Sequence, residues 1–230
     1  MSENPKLSVL IPVYNEERTI EQVVRAVHAV DIDLEIVTVD DHSTDRTPDI
    51  LAALEKEGLI RVFRQPYNQG KGAAVRRAIE EARGEICVIQ DADLEYQPSD
   101  FPALIRPITE LGADAVYGSR FTGTHRVFMF WHFAANQFLT WVTNMLFDTM
   151  LTDMETGYKA VRTEIFRDMK LKSNTFDIEP EITAKLFKRK HKVFEIPITY
   201  NGRTYAEGKK IGPTDAILAL IALIRFRFSD

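Results

Sequence analysis

Ile86-Cys87-Val88-Ile89-Gln90-Asp91-Ala92-Asp93-Leu94-Glu95 joins a short apolar run to three alternating carboxylates. Gly84 precedes the run and a polar cluster follows it, so Ile86 to Ile89 reads as a buried strand. In extended chain, residues at i, i+2 and i+4 share one side. That predicts at least Asp91 and Asp93 projecting together from the strand's carboxyl end. Open α/β sheets bind their ligands at that edge. Gathered carboxylates repel one another unless a cation lies between them. Mg²⁺ or Mn²⁺ takes oxygen ligands of this kind and keeps positions for diphosphate oxygens. A solvated acidic loop is the plainer alternative.

Working outward, the same alternation recurs. Leu7 to Ile11 is an apolar strand stopped by Pro12, and Asn15 is placed to cap a helix with Ile20, Val23, Val24 and Val27 at helical spacing. Leu34 to Val39 is a second strand, ending in Asp40-Asp41. Ser43, Thr44 and Asp45 offer a cap for a helix carrying Ile50, Leu51 and Leu54. Ile60 to Phe63 is a third strand. Asn68-Gln69-Gly70-Lys71-Gly72 then leads into a helix that Gly84 ends. After the Asp91 strand, Pro98 starts a helix with Phe101, Leu104, Ile105 and Ile108 on one face, and Ala115 to Tyr117 is a further strand. Strands alternating with helices of this length predict βαβ units and a mostly parallel central sheet flanked by helices.

Beyond Gly118-Ser119-Arg120 the texture changes. Val127 to Leu151 interleaves Phe128, Phe130, Trp131, Phe133, Phe138, Trp141 and Phe147 with few charges. Core helices explain this, and so do helices lying in a membrane interface. Glu179 to Lys190 is a helix with a basic end, and Phe194 to Ile196 a strand. Ala216 to Ile224 is apolar and followed by Arg225 and Arg227, which suits a helix lying on anionic headgroups. Residues 1–212 thus read as one catalytic domain, including the segment at about 127–151, and 213–230 as an amphipathic membrane-associating helix. The 230 residues are 45% apolar, enough for one large core, and the net charge of −5 argues against a nucleic-acid partner. A single cysteine, Cys87, excludes an internal disulfide and fits a reducing compartment. Met1 to Lys6 carries no signal-peptide core, and no run of about 18 apolar residues suggests a membrane span.

Acidic clusters after two separate strands, Asp40-Asp41 and Asp91/Asp93, suit a nucleotide diphosphate. One carboxylate would meet base or ribose and the metal pair the phosphates. Gly70-Lys71-Gly72 at a helix start would add backbone N–H groups and a cation. The P-loop pattern and the Gly-x-Gly-x-x-Arg-Leu opening of sugar nucleotidyltransferases are absent.

Ser8-Val9-Leu10-Ile11-Pro12-Val13-Tyr14-Asn15-Glu16, Val39 to Asp45, Asn68 to Gly72 and Gln90 to Glu95 together resemble the family 2 glycosyltransferases of GT-A fold. Gly118-Ser119-Arg120, Glu155-Thr156-Gly157-Tyr158-Lys159 and Arg203-Thr204-Tyr205-Ala206-Glu207-Gly208-Lys209 look like the dolichyl-phosphate mannose synthase branch. The resemblance implies that Pro12, Tyr14, Glu16 and Asp40 hold the nucleoside. It implies that Asp91 meets the sugar nucleotide and the metal, with Asp93 and Glu95 completing the ion's shell. Arg120, Arg203 and Lys209 would neutralise donor and acceptor phosphates, a task that suits arginine's forked donors. The chain departs from the branch where a basic Ser-Arg-Gly-Ala-Asn stretch reads His132-Phe133-Ala134-Ala135-Asn136. Arg126 or His132 would have to replace the lost arginine, or the acceptor binds differently.

The expected reaction is inverting transfer of a sugar, from a donor of GDP-mannose or UDP-glucose type, to a polyprenyl or dolichyl phosphate on the cytoplasmic face of a membrane. Two rivals stand beside it. One is a soluble glycosyltransferase acting on a sugar hydroxyl, with Asp177, Glu179 or Glu181 as base. The other is a non-catalytic nucleotide-sugar-binding protein.

Overall fold

The computed structural model describes residues 5–203 and 213–229. The first half alternates as its pattern predicts: β1 (Leu7–Val13), α1 (Ile20–His28), β2 (Leu34–Asp40), α2 (Thr47–Lys56), β3 (Arg61–Arg64), α3 (Lys71–Glu81), β4 (Ile86–Ile89), α4 (Phe101–Glu110) and β5 (Ala115–Ser119). Then come α5 (Phe130–Phe147), β6 (Lys159–Arg162), α6 (Thr163–Asp168), α7 (Ile178–Lys188), β7 (Val193–Pro197) and α8 (Pro213–Phe228). Seven strands form one sheet in the order β3-β2-β1-β4-β6-β5-β7. β1 to β4 pair in parallel, as do β5 and β7. β6 runs antiparallel between β4 and β5.

Period-two alternation divides the strand side chains between two layers. Leu7, Val9, Ile11 and Val13 of β1 pack with the buried stripes of α1 and α4. Leu10, Val37, Val39, Cys87 and Ile89 face the other way, against α3 and α7. Helices on both faces leave the carboxyl ends of the parallel strands open. The register sets Val13 beside Asp40 and Leu10 beside Ile89, so the loops after β1, β2 and β4 share one edge.

Several expectations need correction. Asn15 caps no helix: it has φ of 53°, α1 starts at Ile20, and its side chain instead accepts the Thr44 N–H at 2.8 Å. Ser43 likewise accepts the Asn15 N–H rather than capping α2. The two loops are thereby stitched together. α3 ends at Glu81, before Gly84; a Cβ on Gly84 would lie 2.6 Å from the Ser8 nitrogen, so glycine serves the β1 crossing there. β6 escaped the sequence reading because Lys159 and Arg162 bracket only two apolar residues.

The aromatic segment became one helix, α5, and it is both core and surface. Leu139 is buried while Phe130, Trp131, Phe138, Trp141 and Met145 are exposed, Trp131 to 79%. α8 buries Ala219, Ala222, Leu223 and Phe226 and exposes Ile217, Leu218, Ile221 and Ile224. It is therefore apolar on both sides along Ala216 to Ile224, with Arg225 and Arg227 in its last turn. A helix apolar all round normally has cover all round. No helix among the described residues is long and apolar enough to cross a membrane.

Candidate active site

β4 stops at Ile89, and Asp91 to Glu95 lies in a turn with Leu94 at φ of 62°. The extended-chain geometry expected of Asp91 and Asp93 therefore does not hold. Asp91 and Asp93 still line one cavity of about 690 Å³ at the carboxyl edge of the sheet. Glu95 touches its wall but is otherwise engaged: Oε2 accepts the Tyr200 hydroxyl at 2.6 Å and Oε1 the Arg203 N–H at 2.6 Å. Among the described residues no trio of His, Cys, Asp or Glu is gathered to hold a metal by itself.

Each carboxylate of the pair has a cation against it. Lys71, the first residue of α3, sits 2.7 Å from Asp91 Oδ1 and 3.4 Å from Glu179 Oε1. Burial disfavours its charge, but Asp91 and Glu179 outweigh that, so its pKa is raised. Arg203 Nη2 donates to Asp93 Oδ2 at 2.7 Å. Burial, then the charges of Asp91 and Glu95, push the Asp93 carboxyl up to about 7 against the pull of Arg203. The corner thus holds surplus negative charge and hard oxygen donors. A divalent ion held by one or two carboxylates and completed by substrate phosphates fits Asp91 and Asp93.

Behind Lys71 the charges continue inward. Glu179 Oε2 accepts from Lys159 Nζ at 2.6 Å, and that ammonium also donates to the carbonyls of Met154 and Thr156. Lys159 is fully buried, so β6 carries a cation whose partner chain ends at Asp91. Arg120 lines the cavity, yet its fork is closed on Asp153, with Nε to Oδ2 at 2.6 Å and Nη2 to Oδ1 at 2.7 Å. It was expected as an open phosphate ligand.

Pro12, Tyr14 and Glu16 line the same cavity. Asp40 does not; it is buried, accepts the Ser43 N–H at 2.9 Å and faces Arg64 at 3.3 Å. Asp41 takes its place on the wall, accepting the Gln69 and Gly70 N–H groups at 2.8 and 2.7 Å. Those amides, and that of Ala73, which donates to Asn174 O at 3.2 Å, are not available to a phosphate as expected. Gly72 is glycine for another reason: a Cβ would lie 2.6 Å from Ser173 O. Lys209 lies outside the described residues.

Sequence reasoning missed a tyrosine layer beneath the corner. Tyr96 stacks on Tyr158 at 4.4 Å between ring centres and meets Tyr200 edge-on at 5.1 Å. Tyr96 OH accepts the Gly157 N–H, and Tyr158 OH donates to Gln90. The charged contacts of the layer, Glu95 and the Arg120 guanidinium, both fall on Tyr200 and lie far from it in the chain, so no local acidic or basic pattern advertised the layer. Cys87 behaves as expected: it is buried and burial pushes its thiol up to about 12.

The cavity has a second pole. From Arg120 it runs past Phe121, Phe128, Trp131, Phe133 and Leu139 to Ala216 and Ala219, between α5 and α8. Phe133, which replaces the expected arginine, packs edge-on to Phe121 at 5.3 Å. His132 lines the cavity, and Arg126 donates to the Gly202 carbonyl.

Comparison with known proteins agrees with this architecture. The chain is 32% identical over 216 residues to a dolichol-phosphate mannosyltransferase of Pyrococcus furiosus, covering 91% of this chain and 60% of that protein. It is 30% identical over 205 residues to the low-salt glycan biosynthesis hexosyltransferase Agl6 of Haloferax volcanii, covering 86% and 48%. The chain therefore spans only about half to three fifths of these relatives' length. Glucosyl-3-phosphoglycerate synthase of Mycobacterium tuberculosis, solved with Mn²⁺, UDP and glucosyl-3-phosphoglycerate, superposes with a TM-score of 0.76 at 21% identity, covering 98% of this chain and 81% of that one. That likeness shows the shared GT-A fold. Residues 8–169 match the profile described as Glycosyl transferase family 2. With most of the chain under that profile, and its four motif runs meeting at one sheet edge, the protein belongs to glycosyl transferase family 2.

Proposed function

We propose that the protein transfers a hexose from a nucleotide diphosphate sugar, of GDP-mannose or UDP-glucose type, to the phosphate of a polyprenyl or dolichyl phosphate at the cytoplasmic surface of a membrane, with Mg²⁺ or Mn²⁺. One observation carries this reading. A single cavity joins a pole of paired charges, Asp91, Asp93, Lys71, Arg120 and Arg203, to an apolar pole between α5 and α8. A donor diphosphate suits the first and an isoprenoid tail the second. The name of the Pyrococcus relative supports the acceptor class, and the Mn²⁺ and UDP in the mycobacterial structures support the donor and the ion.

Lys71 and Arg203 would turn from Asp91 and Asp93 toward the phosphates as the donor enters. Asp91 and Asp93 would then hold the divalent ion, which supplies charge stabilisation to the departing diphosphate. A phosphate oxygen is already deprotonated near pH 7, so its attack on the anomeric carbon needs no strong base. This matters because the candidate bases of the soluble rival are engaged. Glu179 is paired with Lys159 and Lys71, and Glu181 with Lys185 at 2.7 Å. Asp177 accepts from the Thr175 hydroxyl at 2.6 Å. The exposed aromatics of α5 and the isoleucines of α8 would dock on the bilayer, so that the tail enters from the side.

Incubation with radiolabelled GDP-mannose and UDP-glucose, Mn²⁺ and polyprenyl phosphate tests the proposal. Label should move into the organic extract. Label appearing only in a water-soluble product would favour the hydroxyl-acceptor rival, and no consumption of either donor the non-catalytic one.

A further inference from the structure

The charged groups of the cavity are cations suited to phosphates, the Asp91 and Asp93 pair suited to a metal, and acids engaged by the protein itself, such as Asp41 on the Gln69 and Gly70 amides, Glu95 on Tyr200 and Glu179 on Lys159. Glu155 belongs to none of these. It lines the cavity, yet its Oε1 is buried and accepts no hydrogen bond among the described residues. Orphaned buried acceptors are uncommon in native proteins and destabilising. The loop that carries it is fixed on both sides. Asp153 is fully buried under the fork of Arg120, and Thr156 donates to Gly118 O at 2.6 Å. Gly157 donates to Tyr96 OH at 2.7 Å, and a Cβ added to it would lie 2.8 Å from Asp91 Oδ2. Glu155 is therefore held beside the donor pole and not left over in a slack loop.

The chemistry of its surroundings narrows the ligand. A phosphate would be repelled by a carboxylate that already has Asp153 and Glu179 for neighbours. The nearby cations are taken: Lys159 by Glu179 and Arg120 by Asp153. Burial is the largest influence on the carboxyl and raises its pKa to about 7, against Lys159 and Arg120. What remains is a neutral ligand rich in O–H donors, and a carboxylate takes hydrogen bonds from such groups.

We propose that Glu155 is a specificity-determining residue that accepts hydrogen bonds from hydroxyl groups of the transferred sugar. The assignment rests on the nucleotide diphosphate sugar proposed above as donor. A site built around such an acceptor discriminates strongly, because an analogue lacking the hydroxyl leaves a buried polar group unpaired.

Calorimetric titration of the wild type, Glu155→Ala and Glu155→Gln with UDP, GDP, UDP-glucose and GDP-mannose, all with Mn²⁺, tests it. In Glu155→Ala the Kd for the cognate nucleotide sugar should rise about tenfold or more relative to that of its parent diphosphate, whose own affinity stays within about twofold. Glu155→Gln keeps one acceptor oxygen and should retain part of the preference. Equal shifts for diphosphate and sugar conjugate, or no shift for either, would overturn the assignment. So would a fall in the thermal midpoint of ligand-free Glu155→Gln, which keeps the packing of the stem, since neutralising a carboxyl whose Oε1 is orphaned should not destabilise the fold. A wild type that binds neither diphosphate would remove the donor reading itself, and this inference with it.

Discussion

Replacing Lys159 by methionine tests how the charged corner is held together. The ammonium is fully buried and donates to Glu179 Oε2 at 2.6 Å, Met154 O at 3.0 Å and Thr156 O at 2.5 Å. Methionine nearly matches its length but brings no charge. Glu179, 4% exposed at the cavity wall, would then keep only the longer pairing with Lys71 at 3.4 Å among the described ion pairs. Removing one partner of a buried pair costs about 3–5 kcal/mol, because the other charge stays behind. A domain of this size loses about 2–4 °C per kcal/mol, so the midpoint should fall by roughly 6–20 °C. Glu179→Gln in the same background removes the stranded charge and should recover most of the loss. Urea titration of the four proteins in this double-mutant cycle should give a coupling energy of at least about 3 kcal/mol. Simple addition of the two losses would refute the network, as would a Lys159→Met effect below about 1 kcal/mol, the size expected of a surface pair.

Three further outcomes follow from particular contacts. The Glu155 carboxyl is held at about 7 against an ordinary 4.5, so across that window the folded chain keeps a proton the unfolded chain has released. Its contribution to stability therefore falls as pH rises, by up to about 3 kcal/mol; the advantage of Glu155→Gln in urea titrations should widen over the same range, and a constant gap would contradict the assignment. Gly72→Ala forces a Cβ to within 2.6 Å of Ser173 O and 2.9 Å of Thr175 O, both backbone. It should cost about 1–3 kcal/mol by chemical denaturation, and no loss would mean that the facing loop yields easily. Phe138, Trp141 and Ile221 are each more than half exposed. Changing all three to serine should leave the fold intact and abolish flotation with vesicles containing phosphatidylglycerol; unchanged flotation would remove the docking surface proposed for α5 and α8.

The sheet and its order of helices were legible because β1, β2 and β4 are short apolar runs closed by polar residues, a signal that needs no tertiary information. The site was legible in part. Asp91, Asp93, Lys71, Arg120, Arg203, Pro12, Tyr14 and Glu16 do surround one cavity. Asp40 and Asp41 could not be separated by sequence, since which of two adjacent carboxylates faces a cavity depends on where the strand ends. The i, i+2 rule named the right pair on the wrong geometry, because the chain already turns at Ala92 and Asp93 and takes a positive φ at Leu94, with no glycine to mark it. β6 was hidden because burial normally excludes lysine, and the distant Glu179, with the Met154 and Thr156 carbonyls, makes Lys159 tolerable there. Gly70 and Gly72 resembled a phosphate cradle, yet both are glycine because the loop at Ser173 to Thr175 crosses them closely. For Lys159, Gly70 and Gly72 the deciding contact joins residues far apart in the chain, which no local pattern encodes.

The account depends most on Asp91 and Asp93 exchanging Lys71 and Arg203 for a divalent ion when a diphosphate arrives. Calorimetric titration of the wild type and Asp93→Asn with GDP and UDP, with and without Mn²⁺, measures that directly. The account predicts that Mn²⁺ tightens binding of one diphosphate by at least about tenfold in the wild type and leaves it unchanged in Asp93→Asn. Equal affinities with and without Mn²⁺ in the wild type, or the same enhancement in Asp93→Asn, would contradict it.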